Sequence, residues 1–135
     1  MKQPVIADLP DAWRQVPYVQ DILFPGQNLE GGFFRMQLRL VPGSPGAPEV
    51  DLQQVTETPI QGLYLVNVLR DGNGVPTSRV RAIIDVATLL TLPSDGEAGT
   101  SDYFAYDIQT AEAGDFKSVA AAGRIKVNPG VTYYV

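Results

Sequence analysis

The chain has 135 residues, Lys+Arg 10 against Asp+Glu 15, a net charge of −5, and neither histidine nor cysteine. The length suits a single domain. The two zeros exclude Ser-His-Asp and Cys-His relays, thiolate nucleophiles, Cys/His zinc sites, haem with a His or Cys ligand, and structural disulfides. Catalysis is left to carboxylates, lysines, tyrosines and serines, and the expectation is that the chain is not an enzyme. Gly 13 and Pro 11 together make roughly 18% of the residues, against an average near 12%. Without a repeat period, that excess means many turns and many short strands. The acidic balance argues against nucleic acid, because phosphate binding needs clustered Lys and Arg. No apolar run approaches the ~18 residues of a membrane span.

Residues 1–17 read as an extended arm. Pro4, Pro10 and Pro17 break any long helix or central strand, and Asp11–Gln15 has room for one helical turn around Trp13. Lys2 followed by Asp8 and Asp11, with no apolar stretch, predicts the absence of a signal peptide. Tyr18–Phe24 reads as a short strand closed by the Pro25-Gly26 turn. Phe33–Val41 alternates with period two, placing Phe34, Met36, Leu38 and Leu40 on one face and Arg35, Gln37 and Arg39 on the other. Residues 42–48 are a Pro/Gly loop, and Val50–Val55 suits a short edge strand. Leu63–Leu69, nearly all apolar, predicts a central strand. Asp71-Gly72-Asn73-Gly74 predicts a turn. Ser78–Val86 alternates again, with Val80, Ala82, Ile84 and Val86 inward and Arg79, Arg81 and Asp85 outward. Ala87–Leu92 suits a short helix before Pro93. Asp102–Thr110 carries Phe104, Tyr106 and Ile108 on one face, and Phe116–Val127 returns with Ile125 and Val127 in and Arg124 and Lys126 out.

About seven strands with closely spaced turn signals predict an all-β fold. The expected form is an antiparallel β-sandwich of immunoglobulin-like type, with one short helical turn near 87–92 and an extended N-terminal arm. A small barrel is the alternative. The expected divisions are an arm over 1–17, a sandwich over 18–132 and a tail over 133–135.

An ordered series of short motifs carries a resemblance. It comprises the Pro25-Gly26 turn, the alternating strand Phe34–Arg39, and Ile84–Leu90 as a strand running into a short helix. It continues with Tyr106–Ile108 against Gly123–Val127, and closes on Asn128–Thr132. Over roughly residues 18–132 the chain resembles the small immunoglobulin-like β-sandwich proteins of tailed-bacteriophage tails and baseplates. It departs from them in the Trp13 arm and the 42–48 loop. The resemblance implies a virion structural protein, an adaptor in the tail tip, baseplate or neck. It would be made in the host cytoplasm and bind other virion proteins in several copies within a symmetric assembly. A capsid decoration protein, or a carbohydrate- or receptor-binding sandwich, is the alternative. A glycan platform would draw on Tyr18, Phe33 and Tyr103.

Candidate sites follow from the same pattern. The segment from Asp71 has Pro76 and Ala82 where a calcium-binding EF-hand loop has Gly and Glu, so a hairpin is expected and no metal or other cofactor. Asp102 and Asp107 face opposite sides of one strand, and Asp95 and Glu97 lie in a polar loop, so neither pair forms a catalytic dyad. Arg35, Arg39, Arg79, Arg81, Arg124 and Lys126 occupy outward positions of three strands that carry one acid, Asp85. They form either a solvated face or, if the strands share a sheet, a basic strip complementary to an acidic neighbour. Trp13, Tyr133 and Tyr134, in the irregular end segments, either fold over a sandwich edge or anchor into a partner.

Overall fold

The computed structural model describes residues 4–94 and 99–130. Ten strands and one short helix lie among them. The strands are β1 (Val5–Ile6), β2 (Ala12–Trp13), β3 (Tyr18–Pro25), β4 (Phe33–Arg39), β5 (Val50–Leu52), β6 (Gln54–Val55), β7 (Gly62–Arg70), β8 (Pro76–Ile84), β9 (Asp102–Ala111) and β10 (Ser118–Asn128), and α1 is Val86–Thr91. They build two sheets. The first runs β1-β10-β9-β4-β5 with β2 also on β10, and the second runs β3-β8-β7-β6. One core joins them. Phe34, Met36, Leu38, Phe104, Tyr106, Ile108 and Ile125 come from the first sheet, and Phe24, Leu63, Val80 and Ile84 from the second. Alternation alone places them, since a strand sends every second side chain to one face.

Both sheets are mixed rather than antiparallel throughout. The arm pairs parallel to β10, Val5 with Ala121 and Ala12 with Val127, and β6 pairs parallel to β7. The arm is thus part of the first sheet. Ala7 N–H donates to the Ala122 carbonyl and Leu9 N–H to that of Arg124. Two core tyrosines fasten it. Tyr106 donates its hydroxyl to the Ala7 carbonyl at 2.6 Å, and Tyr18 to that of Pro10 at 3.1 Å. Burial pushes both phenols above their ordinary range, and the nearby carboxylates of Asp11 for Tyr18 and Asp8 for Tyr106 add to it. Both therefore stay neutral donors. Gly123 makes room for this crossing, because a Cβ there would overlap the Ala7 carbonyl.

Several expectations need correction. Asp11–Gln15 is not a helical turn; Ala12–Trp13 bridges to β10 and Val16 N–H closes a turn on the Trp13 carbonyl. Val50–Val55 is two strands, one in each sheet. The chain changes sheets at Gln53, whose carbonyl accepts Leu63 N–H, and Gly62 leaves the space for that approach. Leu63–Leu69 is central only at its start, because β6 covers Leu63 and Tyr64 alone, and Leu69 is exposed. Leu40 leaves the β4 face and is exposed where the strand ends at Arg39. Val86 begins α1 instead of ending β8, and Asp85 stands at the helix N-cap rather than on the strand. Phe116 is not in the returning strand; it lies in the turn before Ser118, 93% exposed. The turn from Asp71 does form, with the Asp71 carboxylate accepting N–H from Asn73 and Val75.

Arg14 fixes the far end of the arm. Its guanidinium donates to the carbonyls of Leu89, Leu92 and Pro93 at 3.0, 2.8 and 3.1 Å, and to the Asp102 carboxylate at 2.9 Å. The side chain is 12% exposed. One planar fork thus serves carbonyls at and beyond the end of α1 and a β9 carboxylate together. Arg14→Ala should lower unfolding stability by about 1–3 kcal/mol, because it removes a half-buried cation that donates to the Leu92 and Pro93 carbonyls and to Asp102 together. Arg14→Lys should recover part of the loss, since it keeps the charge but not the fork. Phe34→Ala should cost about 3–5 kcal/mol as a core cavity. Denaturant midpoints check all three, and an unchanged midpoint for Arg14→Ala would remove Arg14 from this role.

Candidate interaction surfaces

The six outward bases do not share one face. Arg35 and Arg39 lie on β4 and Arg124 and Lys126 on β10, in the first sheet, whereas Arg79 and Arg81 lie on β8, in the second. The outer faces of the two sheets point away from each other, so a single strip cannot form. Acids from neighbouring segments also meet several of the bases. Arg35 forks onto Asp51, with Nε at 2.8 Å, and Arg81 forks onto Asp21 at 2.8 and 3.2 Å. Arg79 lies 3.8 Å from Asp21, and Arg124 lies 3.5 Å from Asp8 of the arm and 4.8 Å from the Tyr103 ring centre. Arg39 donates to the carbonyls of Ser44 and Gly46, which ties the Pro/Gly loop to β4. Lys126 is half-buried and opposite Tyr103 in the β9–β10 register. The acids escape a count made strand by strand, because Asp8, Asp21 and Asp51 belong to other segments.

The aromatic candidates also separate. Trp13 is 51% exposed at β2. Tyr133 and Tyr134 lie outside the described residues. Of the three residues weighed for a glycan platform, Tyr18 is in the core and Phe33 is stacked by Lys117 at 4.1 Å. Phe33 pairs with Ala111 at one end of β9, and Tyr103 stands near the other. The three do not make one surface.

Two concave features bear on contact with other molecules. A cup of about 440 Å³ lies on the outer face of the first sheet, between Arg39, Tyr103, Asp107 and Arg124, with Ala105 and Ala122 also in its lining. The larger feature is a mostly apolar groove of about 660 Å³. Ile22–Pro25 of β3 line one side and Ser118–Ala121 of β10 the other, with Val5, Ala7 and Leu9 of the arm along it. In a strand, consecutive residues share an edge and not a face, so the groove runs along strand edges. Among the described residues, β3 pairs with β8 alone, and β10 pairs with the arm from Ala121 onward, with Ser118–Ala120 paired only to β9.

Three of the exposed apolar residues line this groove: Val5, Leu23 and Phe116, 62, 53 and 93% exposed. Among the described residues there is no cluster of three or more acids that could hold a metal. Comparison of the chain with family models, with curated proteins and with solved structures finds no match.

The ion pairs set an acid response. Hydrogen bonds from Arg81 hold the Asp21 carboxyl below its ordinary range, and those from Arg35 do the same for Asp51, each partly opposed by burial. A carboxyl lowered by folding stabilises the protein above its unfolded value, near pH 4, and loses that contribution as pH falls through the folded value. The melting temperature should therefore fall as pH is taken from about 4 towards 2. The Asp21→Asn/Asp51→Asn double variant should melt lower at neutral pH and show a shallower acid slope. Identical slopes would show that these pairs carry no linkage.

Proposed function

We propose that the chain is a virion structural protein of a tailed bacteriophage. In this reading it is a non-enzymatic adaptor in the tail tip, baseplate or neck, present in several copies. It binds neighbouring virion proteins through its arm, its strand edges and its sheet surface. The observation that carries the proposal is the mostly apolar groove between the edges of β3 and β10, with Val5, Leu23 and Phe116 exposed along it and no further strand on either edge among the described residues. An edge of that kind on a free monomer invites pairing with another chain; on an assembly subunit it is a docking surface.

The immunoglobulin-like subtype belongs to the same proposal. Seven strands of three or more residues in two sheets support it. The outward bases enter in a reduced form. Arg39, Arg124 and Lys126 surround or adjoin the cup on the first sheet, whereas Arg79 and Arg81 face a different neighbour across the sandwich. Trp13, with Tyr133 and Tyr134, supplies apolar anchors in the end segments.

The test is location. Tailed particles banded from lysates of cells expressing the gene should carry the chain at a fixed copy number relative to the major capsid protein, and antibody labelling should mark the tail end. Particles of full infectivity without the chain would overturn the proposal. A second expected outcome concerns cofactors: thermal melts with and without EDTA should superimpose. A melt lowered by chelation and restored by calcium would reopen the Asp71 turn as a cation site.

A further inference from the structure

The turn between β9 and β10 ends in a knob, and the outer face of the first sheet carries a cup that such a knob fits. Phe116 stands on the turn 93% exposed, so its ring fills nothing in its own chain. Asp115 and Lys117 flank it, their Cα atoms at most ~7 Å apart. Asp115 accepts Phe116 N–H through one oxygen, and Lys117 lies over the Phe33 ring. Neither meets an opposite charge among the described residues. The cup measures about 440 Å³ and is mostly apolar. An apolar cavity of ~150 Å³ already holds a benzene ring. Ala105 and Ala122 give the cup its depth, since small side chains on a sheet surface leave space between larger neighbours, here Leu40 and Tyr103. Both of these walls face solvent, Leu40 51% and Tyr103 48% exposed.

Two charges in the cup lack an opposite partner among the described residues. Arg39 donates to the Ser44 and Gly46 carbonyls and to the Gln37 amide oxygen, none of them charged. Asp107 is half-buried and has neither a hydrogen bond nor an ion pair. A carboxylate drawn partly out of water without a partner is left uncompensated. Arg39 pairs with Ala105 and Asp107 with Gln37, so the two are diagonal neighbours on the outer face, ~7–8 Å apart. A base and an acid at that spacing match the acid and base that flank Phe116. We propose that the cup receives the Phe116 turn of a second copy, with Asp115 meeting Arg39 and Lys117 meeting Asp107. Turn and cup are different parts of one sheet: Ser118, beside the turn, pairs with Thr110, whereas Ala122 pairs with Asp107. The contact is therefore head-to-tail and propagates into a ring or a filament. Burial of the ring gives affinity, and the two charge pairs fix its orientation. The inference deepens the reading of the chain as a multi-copy subunit and takes from it only the second copy.

Charge exchange gives a direct test by sedimentation. The mass of the unmodified chain should rise with concentration. Asp107→Lys and Lys117→Asp each set like charges against each other in the contact, so either variant alone should be a monomer where the unmodified chain associates. An equimolar mixture of the two should regain the association, because every contact between unlike copies again joins opposite charges. Phe116→Ser should weaken association about tenfold or more. Since the ring is exposed, that variant should keep the melting temperature of the unmodified chain. A chain that stays monomeric up to about 1 mM would overturn the inference. So would association that survives Phe116→Ser, or a mixture that stays monomeric where the unmodified chain associates. Association that survives Phe116→Ser and is lost on removal of residues 131–135 would give the contact to the C-terminal segment instead. A chain present in particles whose association ignores Phe116→Ser fails the inference alone. A chain that associates through Phe116 but is missing from particles fails the virion reading alone.

Discussion

The Arg14 guanidinium ties together three parts of the molecule at a single point. The arm, the end of α1 and the first residue of β9 converge on one planar cation with five donors. A six-residue helix is too short to persist by itself. α1 shows no side-chain N-cap bond and has no basic residue in its last turn. Arg14, arriving from 75 residues upstream, supplies the missing positive charge at the helix end. With α1 held, Leu89 and Leu92 stay in the core. With Asp102 held, β9 starts in the register that sets Phe104, Tyr106 and Ile108 inward. Two tyrosine hydroxyls extend the same logic along the arm.

This arrangement explains how a small sandwich leaves one side open without coming apart. Among the described residues the arm lies along β10 from Ala121 onward. Closing the side fully would take a strand that the described residues do not contain. Ser78 helps hold the opposite wall. Fully buried, it accepts Leu29 N–H and donates to the Gln27 carbonyl, so the segment after β3 turns sharply over the core. The groove is thus framed by residues tied into the core, which suits a preformed slot better than an adaptable one.

The long strands were legible in the sequence because their alternation is set by burial on one face. Phe34, Met36, Leu38, Val80, Ile84, Phe104, Tyr106, Ile108 and Ile125 were all expected in the core and all are there. The elements that sequence reading misjudged have another cause. β1, β2 and β6 are two residues long, and each exists only because a distant strand offers an edge. Two residues carry no period. The base pattern misled for a related reason: outward positions were readable, but sheet membership was not, and β8 lies in the other sheet from β4 and β10. Arg14 gave no signal, being a single cation in an irregular segment whose partners lie 75 to 88 positions away.

The parallel pairing of the arm also sets an order of events at the ribosome. Asp8 accepts a bond from Arg124 N–H across 116 positions. The arm is therefore made early and its dock late. At about 5–20 residues per second the gap is on the order of ten seconds. During that time β3–β8 and β7–β8 can already pair, since each closes a shorter loop. The N-terminal segment meanwhile stays a free polymer. Its docking marks completion of the sandwich, and a nascent or truncated chain lacking β10 has no edge on which to seat Leu9 and Ala12 against the core. Such a chain presents loose apolar residues to chaperones and proteases and has no finished slot to offer a neighbour. Quality control would then be built into the topology, with the first residues made reporting on the last.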